Sequence, residues 1–121
     1  MSVPEVKHLR VTNIDGVAMV DFVGSELMYA SDLVQDVGAE LTSLVKDQNH
    51  TKLLLNFRNV QYLSSMMLAQ LAHLDREVKK AKGQLRICGL GPVLRDTFRI
   101  SHFESLFAIY DDEAAALKGF H

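Results

Sequence analysis

Polar and apolar residues alternate over residues 8–14 (His8, Leu9, Arg10, Val11, Thr12), the period of a strand with one buried face. Residues 17–23 form a second run, rich in apolar and β-branched side chains, with Asp15-Gly16 between the two. A type I′ turn needs φ > 0 at both central positions, which Asp-Gly supplies readily, so the pair predicts a hairpin. Asp21 interrupts the second run and is expected near a strand end or on an open face. The period then changes. Leu33, Val37, Leu41, Leu44 and Val45 recur at helical spacing within residues 31–46. Ser31 is placed as N-cap, with Asp32 and Asp36 early and Lys46 late, which complements the helix dipole. Gly38 in the interior of this helix costs about 1 kcal/mol relative to alanine. A close packing contact would account for it.

Residues 52–57 (KLLLNF) are nearly all apolar and predict a strand covered on both faces. Residues 65–82 carry the strongest helical pattern, with Leu68, Leu71, Ala72, Asp75 and Val78 set against exposed charge. Glu77, Lys79, Lys80 and Lys82 crowd its last turns, and Gly83 is expected to end it as the left-handed C′ residue. Residues 85–88 (LRIC) predict another buried strand. Pro92 then opens a helix carrying Val93, Leu94 and Phe98, at the first position where its missing N–H costs nothing. Residues 106–110 (LFAIY) predict a last strand. Asp111 and Asp112 are placed to cap a final helix over 113–118, which Gly119 stops. The order β-β-α-β-α-β-α-β-α predicts an α/β fold, a mixed sheet with right-handed crossovers. Loops at the carboxyl ends of such strands tend to carry function, and residues 57–65 form one of them.

Composition narrows the class. A chain of 121 residues with 48% apolar and 23% charged positions reads as one globular domain, residues 1–121. Thirteen Lys and Arg against 15 Asp and Glu leave a net charge of -2, which is no footprint for nucleic acid. The first residues hold no apolar signal core, and no apolar run approaches the ~20 residues that span a bilayer, so no membrane insertion is expected. Cys88 has no partner for an internal disulfide and fits a reducing compartment. The expected location is the cytoplasm.

Candidate chemistry is sparse. The five histidines show no ligand spacing and Cys88 has no cysteine partner, so no metal site is expected. Ser65 at a helix start could imitate a nucleophile, but the G-x-S-x-G elbow is absent and neither His73 nor His102 has a predictable route to it; no catalytic residue is assigned. Gly89-Leu90-Gly91-Pro92 lacks the lysine or third glycine of a phosphate loop and reads as a strand-to-helix turn. Ser64-Ser65 has two readings. Ser64 is an N-cap and Ser65 the first helical residue; or the pair holds a phosphoacceptor, since phosphate at a helix N-terminus meets free N–H groups and the positive end of the dipole. Met66-Met67 would be odd on a solvated turn, and fits either a binding surface or the core.

Three segments together resemble the STAS domains, and within them the bacterial anti-sigma factor antagonists. VGSELMYA (residues 23–30) is similar to the strand-to-helix segment of the form G-x-L-D, with Met28 where Asp is common. LLLNFRNVQYLSSMMLAQL (53–71) resembles the strand, loop and helix around a D-S-S/T-G-L-G or S-S-A-G-L motif. LRICGLGPVLRDTFRISHFESLFAIYDDEAAAL (85–117) resembles the C-terminal part. The resemblance implies a protein that binds an anti-sigma factor and so releases the sigma factor. That partner is also a serine kinase of the histidine-kinase-like ATPase type, which phosphorylates the serine opening the second long helix; a serine phosphatase restores binding. Matched without gaps, that serine is Ser65. Ser64 takes the preceding motif position, Met66 the Ser/Thr/Ala position and Leu68 the motif leucine. Met67 stands where glycine is usual, and is expected to crowd an approaching partner. The contact surface is expected at Tyr62, Leu63, Ser64, Ser65, Met66 and Met67, with no enzymatic activity and no cofactor. The alternative is a STAS module not switched by phosphate: a scaffold in a signalling assembly or an accessory subunit of a transporter.

Overall fold

The computed structural model describes residues 9–22, 31–47, 49–118 and 120. Strand β1 (Leu9–Ile14) turns at Asp15 and Gly16 into β2 (Val17–Phe22). Both turn residues have positive φ, 51° and 85°, and Asn13 Oδ1 accepts the Gly16 N–H at 3.2 Å. The strands pair antiparallel from Leu9 opposite Phe22 to Ile14 opposite Val17. Helix α1 (Ser31–Lys46) leads to β3 (Lys52–Asn56), α2 (Ser65–Lys80), β4 (Gln84–Cys88), α3 (Pro92–Ile100), a 3-10 turn (Phe103–Ser105), β5 (Ala108–Tyr110) and α4 (Glu113–Leu117). The expected element order holds.

The strands lie in chain order, β1-β2-β3-β4-β5, and β2 to β5 run parallel. Each crossover therefore steps one place in the same direction. Crossovers of one hand that step the same way put their helices on one face. Val37 and Leu41 of α1, Leu71 and Leu74 of α2, and Leu94 and Phe98 of α3 all join one core with Val20, Leu53, Leu55 and Ile87 of the sheet. Alternation along β3 sends Leu54 the other way, to a smaller cluster with Val17, Met19, Cys88 and Ala116 of α4. That is why KLLLN has no polar alternation: both faces of the strand are covered.

Several local expectations change. At Gly38 the side chain of Gln70 from α2 occupies the place of a Cβ, so the glycine is in contact with that helix, although the flexible Gln70 amide could move aside for a methyl group. The left-handed residue after α2 is Lys82 (φ 58°), not Gly83. Lys82 N–H bonds to Lys79 O at 3.0 Å and Gly83 N–H to Val78 O at 2.9 Å, a Schellman ending in which Gly83 is the residue after C′. Gly83 is glycine for another reason: a Cβ there would meet the Thr51 carbonyl oxygen. The last strand begins only at Ala108, because Leu106 and Phe107 both bond back to Phe103 O and prolong the 3-10 turn. Phe57 lies just past the end of β3, and of the apolar residues of α3 Leu94 and Phe98 are buried while Val93 is exposed. His8, Val23, Gly119, the side chains of Ser31, Asp32 and Leu33, and the segment 23–30 with Met28 lie outside the described residues.

Candidate functional site

The loop after β3 is anchored before it reaches the surface. Phe57 N–H bonds to Cys88 O at 3.0 Å, and its ring stacks on Phe22 at 4.9 Å and meets the edge of Phe98 at 6.2 Å. Val60 N–H returns to Phe57 O at 2.9 Å and Val60 is buried. With those two residues enclosed, Gln61 and Tyr62 are left in solvent, while Leu63 packs half-buried on the core.

Ser64 then caps α2. Its backbone is extended (φ -77°, ψ 162°), and its Oγ accepts the Met67 N–H at 3.1 Å. This hydroxyl oxygen satisfies one of the N–H groups that a helix start leaves unpaired. Ser65 is the first helical residue and is exposed; the first turn of α2 holds no acidic side chain to occupy its positive end. Met66 faces solvent beside it. Met67 does not: at 0% exposure it belongs to the main core. The expectation that Met67 contributes to the contact surface and crowds a partner is therefore corrected. One residue further along α2 rotates the side chain by about 100°, from solvent into the core. Of the expected contact residues, Tyr62, Ser65 and Met66 are exposed, and Leu63 and Ser64 are half-buried.

Behind the loop lies a polar junction that sequence reasoning missed. Asp21, 4% exposed at the end of β2, sits opposite Asn56 of β3. Arg58 Nε approaches Asp21 Oδ1 at 3.4 Å, and no hydrogen bond reaches that oxygen, so its compensation is ionic. The other end of the guanidinium donates to Glu113 Oε1 at 3.0 Å, which also accepts from Asn56 Nδ2 at 2.6 Å. Arg58 N–H in turn donates to Asn56 Oδ1 at 3.1 Å. Arg58 thus ties the loop to β2, β3 and α4. Gly89, at φ 78°, closes the group: a Cβ there would stand 2.6 Å from Asn56 Oδ1 and 3.0 Å from Arg58 N. Only Asp21 gave a signal, as a charge inside an apolar strand; Arg58 and Glu113 look like ordinary surface charges until the fold brings them together.

Cys88 borders this junction. Burial first, then the carboxylates of Glu113, Asp21 and Asp112, push its thiol up to about 11. It stays protonated and unreactive near neutral pH. Two hollows open at this edge of the sheet. One of about 460 Å³ lies over Cys88, Asn56 and Glu113; the other, about 560 Å³, runs between Tyr62 and the start of α3, and Arg58, Gly89 and Asp111 border both. No group of three or more His, Cys, Asp or Glu side chains among the described residues is arranged to hold a metal ion. No described helix is long and apolar enough to cross a membrane.

Comparison with known proteins agrees with this architecture. The sequence profile of the STAS domain matches residues 8–116, and the chain belongs to that family. BtrV of Bordetella bronchiseptica, which carries the name of an anti-sigma factor antagonist, is 28% identical over 112 residues, covering 93% of each chain. The crystal structure of an anti-sigma factor antagonist from Mycobacterium paratuberculosis superposes with a TM-score of 0.70 at 25% identity, over 90% of this chain and 89% of that one. Bacillus SpoIIAA in its phosphorylated form superposes with a TM-score of 0.66 at 15% identity, over 88% of this chain and 95% of that one; at that identity it speaks for the fold.

Proposed function

We propose that this protein is a cytoplasmic anti-sigma factor antagonist that works by partner switching, with Ser65 as the phosphorylated residue. Its partner is an anti-sigma factor that is also a serine kinase of the histidine-kinase-like ATPase type, and a serine phosphatase reverses the modification. The protein itself is a non-enzymatic regulator. The observation that carries this reading is the division of labour between the two serines: Ser64 spends its oxygen on the Met67 N–H, and Ser65 is exposed at a helix start without a carboxylate. The named relatives support it, as does the existence of SpoIIAA in a phosphorylated form.

The electrostatics favour a switch. In the free protein, phosphate on Ser65 meets unpaired N–H groups and the positive end of α2. In a complex, the added charge of about -1.5 to -2 must be desolvated against the partner. An unpaired buried charge costs several kcal/mol, and about 3 kcal/mol weakens binding by roughly two orders of magnitude. The unswitched reading drew on Met67 as an obstacle to the kinase. Since Met67 is enclosed, nothing of that obstacle remains at the surface. The test uses the cognate kinase with ATP and intact-mass measurement, followed by titration calorimetry. Wild type gains one phosphate and Ser65→Ala gains none; Ser65→Asp binds about a hundredfold more weakly than wild type. Phosphate on another residue, or wild-type affinity in Ser65→Asp, refutes the switch and favours a scaffold or transporter subunit.

A further inference from the structure

The surface around Ser65 is too small to specify a partner alone. Tyr62 and Met66 are its exposed large apolar side chains, whereas a specific interface engages about 20–30 residues a side and buries roughly 800 Å² of each protein. The fold shows where the contact continues. Tyr62 also lines the groove of about 560 Å³, together with Pro92 and Val93 from the start of α3, the buried Val60 and Leu90, and the polar Gln61. Beyond the groove the apolar surface runs on along α3. Val93, Thr97 and Ile100 recur at helical spacing on one face. The Thr97 hydroxyl is turned back to Val93 O at 3.0 Å, and Ile100 is 74% exposed.

The charges bordering this surface are matched internally. Arg58 is held by Asp21 and Glu113, Arg95 by Asp111, and Asp96 by Arg99. The two charged side chains lining the groove, Arg58 and Asp111, each already have an opposite charge beside them, so a charged occupant would have to compete with those pairs while an apolar one would not. By contrast the cleft between α1 and α2 is lined by hydrophilic side chains that include Lys46, Asp47, Gln70 and His73.

We infer that the groove between Tyr62 and Val93 receives an uncharged apolar side chain, of leucine, methionine or phenylalanine type, from the same partner that covers Ser65, and that the Val93–Thr97–Ile100 face of α3 completes the interface. The inference rests on the partner-switching reading for the identity of the partner. Its chemistry can be tested without the partner. The full chain, labelled with nitrogen-15, is titrated with N-acetyl-leucinamide, N-acetyl-lysinamide and N-acetyl-aspartamide while amide shifts are followed. The leucine probe should shift Tyr62, Leu90, Gly91 and Val93, and the two charged probes should not. Val93→Lys, a change at an exposed position, should weaken the leucine response roughly tenfold. Equal response to the charged probes, or an unaffected Val93→Lys variant, overturns the inference. So does a concentration-dependent dimer in sedimentation that Val93→Lys dissolves, because the occupant is then a second copy of this chain. If Ser65→Asp keeps full affinity for the kinase while the groove still selects the leucine probe, the phosphate switch falls and the groove stands.

Discussion

Replacing Met67 separates its two possible roles most sharply. Its side chain is fully enclosed in the main core, next to a serine that faces solvent. Truncation to alanine removes the transfer free energy of the buried atoms and leaves a cavity, for a cost of about 2–5 kcal/mol. Glycine, the residue usual in the resembling proteins, adds about 1 kcal/mol as a helix-interior penalty. Either cost is a large share of the roughly 5–15 kcal/mol that holds a domain together. With a urea slope of about 1.5 kcal/mol per molar, Met67→Ala should lower the unfolding midpoint by roughly 1–3 M at unchanged slope, and Met67→Gly by more. Met67→Leu, which nearly conserves volume, should cost less than about 1.5 kcal/mol. The assay is urea unfolding followed by circular dichroism. An unchanged midpoint in Met67→Gly, with faster phosphorylation by the kinase, would place Met67 on the partner face and refute its burial.

Ser64→Ala should lose about 1 kcal/mol of stability with its N-cap bond, while Ser65→Ala changes stability by less than about 0.5 kcal/mol; thermal melts of the two variants compare them directly. Arg58→Ala leaves the buried Asp21 carboxylate without its cation and should cost about 1–3 kcal/mol, tempered because Arg58 is half-exposed; adding Asp21→Asn should recover part of the loss, and failure to recover any would show that the pair is not coupled. The Cys88 thiol is raised from 9.0 in the unfolded chain to about 11 in the fold. Its contribution to stability is therefore complete below pH 9 and is lost as pH rises through 9 to 11, because the unfolded chain releases that proton first. The stability difference between wild type and Cys88→Ala should shrink across that window, and native Cys88 should resist a thiol reagent at pH 8.

The fold was legible in the sequence because its elements are set by local rules. Asp15-Gly16 suits the left-handed turn wherever it occurs, and the burial of Leu53, Leu54 and Leu55 follows from a run with no polar alternation. Pro92 and Asp112 mark helix starts through their own chemistry. Ser64 and Ser65 could be given different places because capping depends on position along a single helix.

The sequence could not say which residues meet across the sheet. Gly83 looked like a helix terminator, and only the approach of Thr51 from the preceding connection shows why a side chain is excluded there. Met67 was ambiguous because methionine suits a core and a binding surface equally, and the packing of α2 on the sheet decided for the core. Asp21, the neighbours Asn56 and Arg58, and Glu113 come from three distant parts of the chain, and the fold brings them to one edge. Tyr62 lies in the connection after β3 and Val93 in the first turn of α3 after β4, and they share a groove because β3 and β4 are neighbours. Periodicity and capping act within a few residues, so sequence alone determined the elements. Contact between distant residues depends on strand order and register, so the tertiary structure decided the site.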